Sequence, residues 1–165
     1  MMKHSTATPL RFLHIPKSGG STFSYILARE YGSGCRFEFQ GDCDKDRVRY
    51  NGLSADGQQA VQFFHGHAPI ATGIAAVDAA PILTMLREPV ARVKSFCQHV
   101  SEGKSPHLVE RFPVESFNVC EFLESGLDEI SNLQTKMLIN AGSCADAGLL
   151  DELGVDAAVE LALKN

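Results

Sequence analysis

The sequence lacks a long apolar segment, paired cysteine motifs and an excess of basic residues. No apolar run reaches the roughly 18–20 residues that a membrane-spanning helix needs, and the first ten residues lack the apolar core of a signal peptide. The five cysteines form no CxxC pair, which argues against a zinc site or a disulfide framework and favours free thiols. With a net charge of −5, no general attraction to nucleic acid or to an anionic membrane is expected. These absences predict a soluble, cytoplasmic protein that holds any anion at a local site.

The length and composition indicate one globular domain over residues 1–165. An apolar fraction of 44% in a chain of 165 residues is sufficient for a buried core. Three short apolar segments between breaking residues predict buried strands at Leu10 to Ile15, Val61 to His65 and Pro81 to Leu86. Because helical spacing follows the first and third segments, we expect an α/β fold with a central parallel sheet flanked by helices.

Local signals predict the remaining elements. Cys35 to Gln59 is polar and without periodicity, and is predicted to be mostly loop. Helical spacing and a proline at a first turn predict some of the helices, and capping boxes of Asn118 with Glu121 and of Ser131 with Gln134 predict two others. The predicted helices are Phe23 to Tyr31, a helix beginning at Pro89, Val119 to Glu124, Asn132 to Ile139, Ala145 to Leu153 and Asp156 to Lys164.

The loop between the first strand and the first helix carries the residue types that bind phosphate. A loop that leads into a helix exposes unpaired N–H groups, and the helix dipole adds positive potential there. Its glycines allow close approach of the backbone, its hydroxyls are donors, and its lysine adds a full charge. The residues of this predicted site are Lys17, Ser18, Gly19, Gly20, Ser21 and Thr22.

A second anion site is predicted at the end of the third strand. Arg87 ends that strand, and Ser95 lies two helical turns further on, which brings both residues to one end of the sheet. The P-loop of nucleoside triphosphatases, GxxxxGK(S/T), has glycine before the lysine, and a second strand usually ends in a magnesium-binding Asp. Here Lys17 precedes the glycines and the strand ends in a cation. An ATP-dependent phosphotransferase is therefore the less favoured alternative.

The segments HIPKSGGSTF and LREPVARVKSF resemble the two donor motifs of the carbohydrate sulfotransferases that use 3′-phosphoadenylyl sulfate (PAPS), in the heparan sulfate 2-O- and 6-O-sulfotransferase branch. FFHGHAP and NLQTKML resemble later segments of this family. The resemblance implies a P-loop-like nucleotide-binding fold in which Lys17 to Thr22 hold the 5′-phosphosulfate, while Arg87 and Ser95 hold the 3′-phosphate. It also implies sulfuryl transfer to a hydroxyl group, of a carbohydrate first and of a lipid or small metabolite as alternatives. Adenosine 3′,5′-bisphosphate (PAP) is the implied product, and no metal is expected.

Two residues are predicted to act in the chemistry. A neutral imidazole is suited to remove the proton of an acceptor hydroxyl, and His67 is the predicted base because the HGH sequence resembles the family segment that supplies it. His65, at the strand end, is predicted to be structural. Lys17 is predicted to stabilise charge on the departing phosphate. Arg92, on the helix that begins at Pro89, is a further candidate donor contact.

Members of this family continue beyond the position that matches Asn165. The chain is therefore expected to lack the C-terminal part of the family domain. A catalytically inactive relative that binds the nucleotide is the main alternative to an active sulfotransferase.

Overall fold

The computed structural model describes residues 8–139, which form a parallel sheet with helices on both faces. The strands lie in the order β2-β3-β1-β4, and each neighbouring pair is parallel. Phe12 of the central strand β1 is aligned with His65 on one side and with Leu83 on the other. The strands are β1 (Leu10–Leu13), β2 (Arg36–Phe39), β3 (Phe63–Gly66) and β4 (Ile82–Thr84). The predicted α/β fold with a parallel sheet is confirmed.

Seven α-helices occur in the described part of the chain. They are α1 (Gly20–Glu30), α2 (Cys43–Asn51), α3 (Ala55–Ala60), α4 (Ala75–Asp78), α5 (Pro89–Ser101), α6 (Val119–Glu124) and α7 (Leu133–Leu138). Short 3-10 turns cover Ser33–Cys35, Pro106–Leu108, Val114–Ser116 and Asp128–Ile130. Between residues 8 and 139, no helix has the length and apolar character needed to cross a membrane.

Most of the predicted elements agree with the structure. The three predicted strands are present as β1, β3 and β4, and the predicted helices within residues 8–139 are present as α1, α5, α6 and α7. The prediction that the third strand is buried is wrong, because β4 lies at the end of the strand order and its Ile82 and Leu83 are exposed. Asn118 caps α6, because its side-chain oxygen accepts hydrogen bonds from the backbone of Cys120 and Glu121. The predicted helices at Ala145 to Leu153 and Asp156 to Lys164 lie outside the described residues.

The prediction of a loop over Cys35 to Gln59 is wrong, because this segment contains β2, α2 and α3. In β2, buried Phe37 and Phe39 alternate with exposed charged residues, but the pattern lasts for only four residues. Helix α2 is mostly polar and buries few side chains, among them Asp46 and Tyr50, which are four residues apart on one face. The short strand and the polar helix gave too little apolar periodicity to be recognised.

Aromatic side chains attach the helices to the two faces of the sheet. On one face, Phe12 packs edge-on against Phe23 of α1 with 4.9 Å between ring centroids. On the other face, Phe37 and Phe64 of the sheet pack together with Tyr50 of α2 in a buried cluster. The sheet is thus the middle of three layers, and its strand ends remain available for a site.

A buried cation inside β1 fixes the chain that follows β3. Arg11 is almost fully buried, and its guanidinium donates to the backbone carbonyls of Pro69 and Ile70. Asp78 of α4 lies 3.7 Å from the same guanidinium and supplies the opposite charge. Burial lowers the pKa of Arg11, and Asp78 opposes this effect. These contacts fix Pro69 and Ile70, which follow His67, to the central strand β1.

Candidate functional site

The predicted site residues follow three neighbouring strands. The loop with Lys17 follows β1, His67 follows β3, and Arg87 follows β4. Because these strands are parallel and adjacent, their carboxyl ends lie at one edge of the sheet, where α/β proteins generally bind ligands. The structure therefore brings the predicted phosphate loop, the predicted base and the predicted second anion site to the same edge.

The loop after β1 has a backbone that is suited to anions. Lys17 has a φ of 66° and Gly19 a φ of 85°, so the backbone of both residues is in the left-handed region. A non-glycine residue in this region is uncommon, and such strain is often found where a ligand binds. Gly19 precedes the first turn of α1, and no side chain of the described residues caps that turn. Its N–H groups therefore have positive potential and no side-chain acceptor.

The hydroxyl groups of this loop differ in their surroundings. The side chains of Ser21 and Thr22 are exposed at the start of α1. Ser18 is buried, and its Oγ lies 3.2 Å from Oε1 of Gln134, to which it donates a hydrogen bond. Ser18 is thus fixed to α7, whereas Ser21 and Thr22 are accessible to a bound anion.

Positive charge concentrates around the loop although the whole chain is acidic. Arg87 donates from Nη1 to the carbonyl oxygen of Lys17 at 3.2 Å, which brings its guanidinium beside the loop. Burial, Lys104 and Arg87 each lower the pKa of Lys17, whereas Glu102 raises it. The pKa of His99 is lowered by burial and by Lys17 and Lys104. A bound polyanion would relieve the part of this effect that comes from the repulsion of Lys17 by Lys104 and Arg87.

Gln134 connects the two predicted anion sites. Its Oε1 accepts from the backbone N–H of Arg87 at 2.9 Å, and its Nε2 donates to the Arg87 carbonyl at 2.8 Å. The same Oε1 accepts from Ser18. The sequence predicted a capping box of Ser131 with Gln134, but Asn132 precedes α7 in a left-handed conformation without a side-chain cap. That part of the prediction is wrong, because the Gln134 amide bonds to Arg87 instead.

Ser95 and Arg92 lie on α5 in different environments. Ser95 is half-buried, and within residues 8–139 no hydrogen bond or ion pair joins it to Arg87. Arg92 is 2% exposed, and its Nη2 donates to the backbone carbonyl of Glu129. Its Nη1 is buried without a hydrogen-bond partner among the described residues. Arg92 is therefore held in the interior between α5 and the Asp128–Ile130 turn.

A hydrogen bond fixes the proton of His67. The Nδ1 atom of His67 lies 2.8 Å from the carbonyl oxygen of His14. Because a carbonyl oxygen only accepts, Nδ1 carries the proton, and in the neutral ring Nε2 has the free lone pair. The rings of His14 and His67 stack with centroids 4.4 Å apart. Burial, followed by His67 and His65, lowers the pKa of His14 to about 4, so His14 is neutral near pH 7.

His65 has a different environment from His67. Its side chain is 8% exposed and stacks on Phe63 at 5.0 Å with nearly parallel rings. Burial lowers its pKa, which favours the neutral form. His67 is exposed at the edge of the sheet, and it lines a cavity of about 450 Å³ next to Pro16. Of the two histidines, His67 has the access that a reacting group requires.

Four residues that contribute to this edge were not recognised in the sequence as parts of the site: His14, Gln134, Lys104 and Glu88. Glu88 accepts hydrogen bonds from the backbone of Val90 and Ala91 and caps α5, which lowers its pKa. Among residues 8–139, no group of three or more His, Cys, Asp or Glu side chains is arranged to hold a metal ion. Glu88, the acidic residue next to Arg87, uses its carboxylate to cap α5.

Comparison of the chain with protein-family models, with curated proteins and with solved structures finds no match. The resemblance to the sulfotransferases therefore depends on the motif residues, and the function has to be argued from the geometry of the site.

Proposed function

We propose that the chain is a PAPS-dependent sulfotransferase that transfers a sulfuryl group to an acceptor hydroxyl. One observation carries the proposal. A left-handed loop at an uncapped helix N-terminus, the cation Arg87 and the histidine His67 lie together at the carboxyl edge of a parallel sheet. This combination supplies the two requirements of the reaction, an anion site and a proton acceptor beside it.

The donor has two anionic groups, and the edge has two places suited to them. Lys17 and the N–H groups that begin α1 would hold the 5′-phosphosulfate, with Ser21 and Thr22 as additional donors. Arg87 at the end of β4 would hold the 3′-phosphate, with Ser95 of α5 as its predicted partner. The strand order 2-3-1-4 with a phosphate loop after β1 is consistent with a P-loop-like fold.

In the proposed reaction the acceptor oxygen attacks sulfur in line with the leaving 5′-phosphate. The new O–S bond forms as the S–O bond to that phosphate breaks, and the acceptor proton passes to Nε2 of His67. Lys17 and the N–H groups at the start of α1 stabilise the negative charge that develops on the departing phosphate. The products are a sulfate ester and PAP. A carbohydrate hydroxyl is the acceptor that the motifs suggest.

A magnesium-dependent phosphotransferase is less compatible with these residues. Such an enzyme would need a carboxylate directed at the metal near the end of a strand. Here that strand is followed by Arg87, and the adjacent Glu88 uses both carboxylate oxygens to cap α5. The sulfotransferase reaction fits the charge of this edge better.

A nucleotide comparison tests the proposal. PAP should raise the melting temperature more than AMP or ATP without magnesium, because only PAP carries the 3′-phosphate. Arg87→Ala should weaken PAP binding by about 1.5–3 kcal/mol, the scale of a charged hydrogen bond, and should leave AMP binding nearly unchanged. Lys94→Ala, which removes an exposed cation of α5, is the control. Equal shifts for AMP and PAP in the unmodified protein would contradict the assignment.

A further inference from the structure

The cavity beside His67 adjoins the proposed donor site. It has a volume of about 450 Å³ and is lined by Pro16 after β1, Gly41 after β2 and His67 after β3. The proposed donor contacts follow β1 and β4, so the cavity and the donor site share β1 as their border. A molecule in the cavity would therefore contact His67 and Pro16, and Pro16 directly precedes the phosphate loop. Its size is within the roughly 300–1,000 Å³ of ordinary small-molecule sites.

One wall of the cavity is apolar. Leu133 and Met137 of α7 form it together with Pro16. Both α7 residues are at most 8% exposed and belong to the cluster that joins α7 to Leu13 and Ile15. Because this cluster is anchored on β1, the apolar wall is a fixed surface that would contact an apolar part of a ligand.

The cavity is lined by charged residues, and the lysine among them has an ion-pair partner. Of the described residues that line it, Lys136 alone is a lysine or arginine, and its Nζ lies 2.5 Å from Oδ1 of Asp128. Glu129 adds a second carboxylate, 3.6 Å from Nε2 of His107. Because Asp128 and Lys136 offset each other, an anionic ligand would meet the remaining carboxylate of Glu129 and, among the described lining residues, no unpaired lysine or arginine. At the donor loop, in contrast, neither Lys17 nor Arg87 forms an ion pair with another described residue.

We propose that this cavity binds the acceptor, and that the acceptor is a small hydroxyl compound with an apolar group and no negative charge. The inference rests on the proposed sulfotransferase function and narrows the class of compounds that can serve as its acceptor. The hydroxyl faces Nε2 of His67, which receives its proton, and the apolar group contacts Leu133 and Met137. Negatively charged acceptors are disfavoured by the carboxylate of Glu129, which the lysine of the cavity lining does not offset.

A matched pair of probes tests this inference. Phenyl β-D-glucoside and phenyl β-D-glucuronide share the ring hydroxyls and the phenyl group. They differ in one group, which is uncharged in the glucoside and a carboxylate in the glucuronide. Binding of each to the PAP-saturated full chain is measured by ligand-observed NMR titration. We expect the glucoside to bind at least about tenfold more tightly, because the glucuronide places its charge near the Glu129 carboxylate. Glu129→Gln should reduce this preference several-fold. Glu115→Gln, an exposed change outside the cavity lining, should leave it unchanged.

The outcomes separate the two proposals. If PAP itself does not bind, the proposed function fails and the acceptor inference falls with it. If PAP binds but the glucuronide binds as tightly as the glucoside, or neither probe binds, the acceptor inference is overturned while the donor site stands. A preference for the glucoside that Glu129→Gln does not change would also overturn it, because the charge of the cavity would then have no role.

Discussion

Gln134 holds the backbone of Arg87 by both ends of its side-chain amide, with Oε1 2.9 Å from the Arg87 nitrogen and Nε2 2.8 Å from the Arg87 oxygen. The same Oε1 accepts from Ser18 in the loop after β1. One side chain of α7 therefore sets the spacing between the ends of β1 and β4. If those ends hold the two phosphates of one nucleotide, their spacing determines how well both phosphates are bound.

The first prediction concerns this connection. Gln134→Ala should weaken PAP binding by about tenfold, which corresponds to about 1.4 kcal/mol and to the loss of one or two ordinary hydrogen bonds. Alanine is a good helix former, so α7 itself should remain intact. Gln59→Ala, an exposed change on α3, is the control. The measurement is calorimetric titration with PAP, and unchanged affinity in a folded Gln134→Ala protein would contradict the role of this amide.

The sequence predicted the elements whose signals are local. An apolar run, a lysine with two glycines and a helical spacing within Leu10 to Tyr31 were sufficient to predict β1, the tight loop after it and α1. It did not predict the contacts made by Gln134, which lies 47 residues from Arg87 and 116 from Ser18 along the chain. Such pairings depend on where α7 packs, and no local pattern records that. The HGH sequence led to the prediction for His67, but it could not show the hydrogen-bond partner of His67, which is a backbone carbonyl that any residue could supply.

The second prediction concerns the contact between Gly20 and His14. A methyl group on Gly20 would overlap the His14 ring. That ring stacks with Phe12 and with His67, so it cannot easily move aside. In Gly20→Ala, overpacking against the His14 ring should lower the free energy of unfolding by about 1–3 kcal/mol. The greater helix preference of alanine should offset roughly 0.5–1 kcal/mol of this loss. Urea denaturation measures the net change.

A matched glycine gives the control for this substitution. A methyl group on Gly34 would have no neighbour within 4 Å, so Gly34→Ala should change stability by at most about 0.5 kcal/mol. In the double variant His14→Ala with Gly20→Ala, the overlap is absent and the two changes should be less costly together than their sum. A Gly20→Ala protein as stable as Gly34→Ala would show that the His14 ring adjusts freely.

The third prediction concerns pH. The pKa of His14 in the folded protein is about 4, lowered by burial and then by His67 and His65, whereas in the unfolded chain it is near 6.5. Between these values the unfolded state binds more protons, so this contribution to stability is present above about pH 6.5 and is lost as the pH falls towards 4. Melting temperatures should fall from about pH 7.5 to 5.5, above the range in which most carboxyl groups titrate. The fall should be smaller in His14→Asn, and an equal fall in both proteins would contradict the assignment to His14.

The last prediction separates binding from chemistry at His67. The proposed phosphate contacts are Lys17, the start of α1 and Arg87, so a substitution of His67 should leave PAP affinity nearly unchanged. Turnover should fall about 10²- to 10⁴-fold, the usual effect of removing a positioned proton acceptor. Activity is measured as PAP released from PAPS with a hydroxyl acceptor that the unmodified protein sulfates.

The choice of variant decides between a chemical and a structural role. His67→Asn keeps an amide that can donate to the His14 carbonyl in place of Nδ1, but it has no group that accepts a proton near neutral pH. His67→Ala removes both functions and leaves space for added imidazole. If His67 is the base, both variants lose turnover, and imidazole restores part of the activity of His67→Ala only. If His67 only orders the loop through His14, His67→Asn keeps its turnover and imidazole has no effect. A folded, inactive His65→Ala protein beside an active His67→Asn protein would move the base to His65, in spite of its burial against Phe63.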